Sequence, residues 1–198
     1  MGMAKYKNGF SLTPHPESLA EPYLWKKPRM VFVNSMSDLF HEDIDLGYIK
    51  KVFAVMNDNP RHIFQVLTKR ADALEKYRSR LAWTPNIWMG VTVESKECFG
   101  RIKRLAKTGA AVKFLSCEPL LSDLGRLPLS KIDWVIVGGE SGPKARLMEK
   151  EWVESIQRQC ADAAVPFFFK QWGGARKKAS GRILNGEVYS QMPGAVAC

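Results

Sequence analysis

Three glutamates recur at the same place behind successive apolar segments: Glu94 after Thr92-Val93, Glu118 after Ser116-Cys117, and Glu140 after Gly138-Gly139. Lys69 stands behind another such segment, Lys170-Gln171 behind the last, and Asn34-Ser35-Met36-Ser37-Asp38 behind the first. Acidic and basic groups held close together shift one another's proton affinities, as acid-base and ligand-clamping sites do. Singly, a glutamate just past a strand is a helix-cap neighbour or a solvated loop residue. It is the repetition that favours a shared site. Its candidate ligand-binding residues are Asn34, Ser35, Ser37, Asp38, Lys69, Glu94, Glu118, Gly138, Gly139, Glu140, Lys170 and Gln171. Sequence alone assigns none of them a catalytic role.

The run Gly138-Gly139-Glu140-Ser141-Gly142 lets backbone approach a ligand closely, and its N–H groups suit a carboxylate or phosphate with Lys144 or Arg146 nearby. It lacks the Walker lysine and the dinucleotide-binding glycine spacing, so a tight turn is the competing reading. His41-Glu42-Asp43 with Asp38 has metal-ligand chemistry, but Asp43 or Asp45 is better placed to cap the next helix, and no metal site is expected. Cys98, Cys117, Cys160 and Cys198 are widely spaced, match no zinc, redox or haem pattern, and read as reduced thiols. The six tryptophans read mostly as core, with Trp172 at a strand end the best candidate for stacking on a base. No Ser-His-Asp or Cys-His arrangement can be argued.

What must position these groups is a set of short β-prone runs at residues 30–34, 63–68, 87–93, 112–116, 134–137 and 166–169. Between them lie segments of helical period, such as Leu46, Ile49, Val52, Phe53 and Met56, or Trp152, Val153, Ile156, Cys160 and Ala163. Alternating strands and helices predict a parallel sheet covered on both faces. About six units are too few for a closed eight-unit barrel. The fold class expected is therefore α/β, a partial TIM-like (β/α) barrel of about six parallel strands, rather than an open doubly wound sheet. Polar clusters behind nearly every strand favour the barrel, since a doubly wound sheet gathers its ligand groups at one switch point. At 198 residues, 45% of them hydrophobic, the chain reads as one domain, with residues 1–29 an irregular N-terminal cover and 174–198 a hairpin and tail. Asn185-Gly186 between two β-prone runs is the hairpin signal.

The formal charge of +10 suits a polyanion and makes a nucleic acid or nucleotide the candidate partner, with a solvated basic surface as the competing reading. The basic residues are scattered apart from Lys26-Lys27-Pro28-Arg29, Lys69-Arg70, the run 101–107 and Arg176-Lys177-Lys178. No apolar run approaches the roughly 20 residues of a membrane span. The first residues are polar rather than a signal peptide, so a cytoplasmic protein is expected.

The segments VFVNSMSDLF (31–40), QVLTKR (65–70), WMGVTVE (88–94), FLSCEPLL (114–121), WVIVGGESG (134–142) and FFFKQWG (167–173) resemble, in order, a phage and prophage family known by the phage gene products thirty-seven and sixty-eight. That family is itself similar to radical S-adenosylmethionine enzymes, notably the spore photoproduct lyase group, through an N-terminal cysteine trio. The resemblance implies S-adenosylmethionine and a [4Fe-4S] cluster for the full-length family, with three thiolates holding the cluster. It also implies that Asn34, Ser35, Ser37, Asp38, Lys69, Glu94, Glu118, Glu140, Lys170 and Gln171 line the family's site. No cysteine precedes Cys98 here. The expectation is a truncated form keeping the ligand-facing barrel of a nucleic-acid-related radical enzyme, inactive for want of the cluster, and no cofactor in this chain as it stands. The alternatives are a non-catalytic basic module that binds nucleic acid and a nucleotide-binding accessory subunit.

Overall fold

The computed structural model describes residues 13–34, 37–175 and 181–194. Six strands, β1 (Met30–Val33), β2 (Ile63–Thr68), β3 (Ile87–Thr92), β4 (Val112–Cys117), β5 (Trp134–Gly138) and β6 (Phe167–Gln171), pair in parallel strictly in sequence order. With no reversal of order there is no switch point, and the sheet is the half-barrel expected rather than a doubly wound one. All six residues of β3 are buried, as a strand covered on both faces requires.

Helices cover the convex face. The short α1 (Glu21–Leu24) belongs to the N-terminal cover; α2 (Leu46–Asp58), α3 (Ala71–Tyr77), α4 (Phe99–Leu105) and α5 (Lys150–Asp162) follow strands. Asp45 caps α2, its Oδ1 accepting from the Tyr48 N–H at 3.0 Å, and Ile49, Val52, Phe53 and Met56 are the helix's buried stripe. The alternation fails once. Residues 118–133, between β4 and β5, contain no helix. Their buried Leu120, Leu124, Leu127, Leu129 and Ile132 fill that layer instead. Gln159 of α5 serves their backbone, accepting from Leu127 N–H and donating to the Gly125 carbonyl, both at 2.8 Å.

On the concave face the amino half of the barrel is plugged by rings. Trp88, Phe114 and Trp134 are buried there, Trp134 lying 6.0 Å from Trp88 and 5.7 Å from Phe114 between centroids. Gly90 makes the room, because a Cβ on it would fall into the Phe114 ring.

The two edges of the sheet differ. Along β6 runs the segment after residue 188, with Phe169 N–H donating to Tyr189 O at 3.1 Å and Gln191 N–H to Phe167 O at 3.2 Å. It follows the hairpin β7 (Ile183–Leu184) and β8 (Glu187–Val188), whose turn has Asn185 at φ 53° and Gly186 at φ 82°, the positive values that Asn-Gly was expected to supply. At the other end of the chain the cover is less irregular than expected, since residues 16–20 form a 3-10 turn leading into α1. It closes over buried His62, whose ring lies 5.3 Å from that of Trp25. No helix among the described residues is long and apolar enough to cross a membrane.

Candidate functional site

The period of two along each strand decides which groups meet. Val91, Val93, Leu115, Cys117, Val135, Val137 and Phe169 belong to the buried core that includes the helices. The residues between them therefore face the concave side: Thr92 and Glu94, Ser116 and Glu118, Ile136 and Gly138, and Lys170. Thr92 is paired with Ser116 in the β3–β4 register, so Glu94 and Glu118 follow as the next pair at the carboxyl end.

Ion pairs join this row. Lys69 Nζ lies 2.5 Å from Glu94 Oε1, and Arg101 Nη1 2.8 Å from Glu94 Oε2. Arg101 is itself anchored on the Thr92 carbonyl at 2.8 Å. Lys170 Nζ reaches from β6 across β5 to Glu118 Oε2 at 2.8 Å, and the Ser116 hydroxyl donates to Glu118 Oε1 at 3.2 Å. The crossing passes Gly138, where a Cβ would stand 3.0 Å from Glu118 Oε2, a tight contact with the ion pair beside it. The carboxylates are mostly covered, with 13% and 19% of their side chains exposed, and the two lysines are half exposed at 54% and 55%. Burial pushes the Glu94 carboxyl up, but the hydrogen bond and charge of Lys69 outweigh it and hold it below the usual carboxylate range.

The structure thus brings Lys69, Glu94, Glu118, Gly138 and Lys170 together. The other candidates serve the loops. Asp38 accepts from Thr68 Oγ1 at 2.7 Å, from Phe40 N at 2.9 Å and from Lys69 N at 3.0 Å, clasping the loop after β1 to the end of β2. Asn34, at φ 60°, turns the chain and donates to the Ser37 hydroxyl at 2.9 Å, while Ser35 lies outside the described residues. Glu140 accepts from Arg146 N and Nε at 2.9 Å and from Nη2 at 3.0 Å, and these bonds pull its pKa down to about 2. It braces its own loop. Gly139 has no room for a Cβ because the Trp172 carbonyl fills that place, so its bareness serves backbone packing. Gln171 donates to the Ser141 hydroxyl at 2.7 Å, and Trp172 packs edge-on against Phe169 with its indole N–H on the Ile183 carbonyl at 2.9 Å.

Arg101 is the site residue that sequence reasoning placed elsewhere, in a basic run. Only the 3-10 turn Lys96–Cys98 brings α4 back over β3, and no spacing rule marks it. In the rest of that run, Arg104 pairs with Asp72 at 2.6 Å and Lys107 with Glu75 at 2.6 Å, an ion-paired seam between α3 and α4.

Three of the four cysteines lie among the described residues, all as free thiols. Burial pushes the Cys117 thiol up and the Cys160 thiol up to about 12, and Cys98 Sγ is spent on Glu94 Oε2 at 3.4 Å. No group of three His, Cys, Asp or Glu that could hold a metal ion exists among the described residues. Two surface grooves, of about 400 and 770 Å³, lie away from the row, around residues 125–133 and the end of α5.

No curated protein and no solved structure matches the chain. Residues 1–193 match the model of the family described as protein of unknown function (DUF5131), and the chain belongs to that family.

Proposed function

We propose that the concave row at the strand ends binds a small nucleotide-like ligand with both an amino and an acidic end, S-adenosylmethionine being the first candidate. The scaffold is then that of a phage-type radical enzyme acting on a nucleic-acid-related substrate. The observation that carries the reading is the convergence of Lys69, Glu94, Glu118 and Lys170 from β2, β3, β4 and β6 on one side of the sheet. The row carries a lysine at each end and two adjacent glutamates between them, so a ligand's ammonium or ribose hydroxyl has a carboxylate and its acid group an ammonium. The aromatic plug below keeps the ligand at the rim. A cluster would supply one-electron reduction; the described thiols do not group as its ligands. Free Cys98, Cys117 and Cys160 suit a reducing compartment, and we place the protein in the cytoplasm.

The runner-up, a basic module on DNA or RNA, draws on the net charge of +10. Arg104 and Lys107 of its basic run are paired with Asp72 and Glu75, as the row's lysines are with Glu94 and Glu118, so either ligand displaces an ion pair and the binding assay must separate them. Titration calorimetry decides between them. S-adenosylmethionine should bind, and Glu118→Ala should weaken it about tenfold or more. Binding of generic duplex with a steep salt slope, untouched by Glu118→Ala and without affinity for the nucleotide, would select the second reading.

A further inference from the structure

Among the described residues one edge of the half-barrel is covered and the other is not. The edge of β6 is covered by residues 189–191. At β1 the Arg29 carbonyl accepts from Ile63 N–H at 2.9 Å, which sets the ladder. By the parallel pattern, Val31 then bonds to β2, and the N–H and C=O groups of Met30 and Phe32 point away from it. Outside the sheet's own ladder, no backbone hydrogen bond among the described residues reaches Met30 or Phe32. Their side chains are also exposed, at 46% and 44%, whereas no apolar residue of β2 to β6 is exposed. Directly before the strand, Lys26, Lys27 and Arg29 are all exposed, and none of them forms an ion pair among the described residues. Arg29 only stacks on Trp25, 4.9 Å from its ring.

We infer that the open edge of β1 docks an extended peptide segment of another protein, apolar where it lies along Met30–Val33 and acidic where it reaches Lys26, Lys27 and Arg29. Three features meet there that strand addition uses together. Backbone groups and cations without a partner among the described residues give the main-chain bonds and the charge complementarity, and alternate apolar side chains give the pockets. A nucleic acid would use the cations but neither the backbone groups nor the alternation. A second copy of this chain would set like charges against each other wherever the two basic runs met.

The probe is a fluorescein-labelled peptide of alternating valine and threonine with aspartates at one end, followed by anisotropy on the full chain. It should bind. The pair Lys26→Glu and Lys27→Glu should weaken it about tenfold or more, Phe32→Lys should abolish it, and the same peptide N-methylated at alternate amides should not bind. Circular dichroism confirms that each variant is folded, as expected for exposed positions. The inference is overturned if the methylated peptide binds equally well, if charge reversal has no effect, or if single-stranded DNA binds with the same dependence on Phe32. It is equally overturned if the peptide fails to bind and charge reversal makes the chain aggregate, for the basic run would then only guard the edge.

Discussion

Gly90→Ala puts a methyl group where the Phe114 ring lies, in the middle of a strand with every residue buried. The ring has little freedom to retreat, since it is itself fully buried with Trp134 beside it at 5.7 Å. Forcing an extra carbon into such a core costs about 1–3 kcal/mol. At about 2–4 °C per kcal/mol for a domain of this size, the thermal midpoint should fall by about 2–12 °C. Thermal unfolding followed by far- and near-ultraviolet circular dichroism measures it. Phe114→Leu alone is destabilising through lost ring contacts, but in the double variant the smaller side chain receives the new methyl. The two changes should therefore be non-additive by about 0.5–3 kcal/mol in the favourable direction. A neutral Gly90→Ala, or strict additivity, would refute the plug. The concave face would then be open below the rim, and the argument confining ligand to the strand ends would fail with it.

Asp38→Ala should cost about 2–4 kcal/mol, because a largely covered carboxylate that accepts from one hydroxyl and two amides is lost together with its pairing to Arg70; an unfolding free energy from denaturant titration lowered by only about a few tenths of a kcal/mol would contradict the clasp. The Glu140 carboxyl is held down to about 2, so its brace on Arg146 should be fully present above about pH 4.5 and lost only as pH falls through about 2. The Arg146 Nε–H resonance followed against pH tests this, and a midpoint near 4.5 would show the bonds absent in solution. Cys117 and Cys160, enclosed and held protonated, should resist iodoacetamide at pH 8 in the native protein and react after unfolding, as read by peptide mass spectrometry. Gly186→Ala, at φ 82°, should cost about 1 kcal/mol without moving the site, and a larger loss would mean that the hairpin holds more than its own edge.

The strands were legible because their apolar runs are short, β-prone and punctuated, and the half-barrel because polar clusters stood behind nearly all of them. Residues 118–133 were not, since leucines at irregular intervals bury as well as a helical stripe does and leave no period to read. In the site, Lys69, Glu94, Glu118 and Lys170 followed from recurrence at strand ends. What recurrence does not give is the direction in which a side chain beyond the strand turns. By the β4–β5 register Gly138 takes the place of Glu118, so Glu140 stands two residues further on, and Arg146 claims it; Asp38 lies in a loop whose donors claim it first. Arg101 was hidden because its place depends on how a 3-10 turn folds α4 back, a tertiary fact without a local signature. Gly139 reads in sequence as a place for ligand and in the fold as a place for the Trp172 carbonyl.

The central claim, that Lys69, Glu94, Glu118 and Lys170 form one ligand site, is tested most directly by amide chemical-shift mapping during titration of the full chain with S-adenosylmethionine. The account predicts saturable shifts concentrated at Lys69, Glu94, Glu118, Gly138 and Lys170 and absent from the Glu118→Ala variant. Shifts confined to the groove around Leu127, Gln159 and Ala163, or shifts at the row that persist in Glu118→Ala, would contradict it.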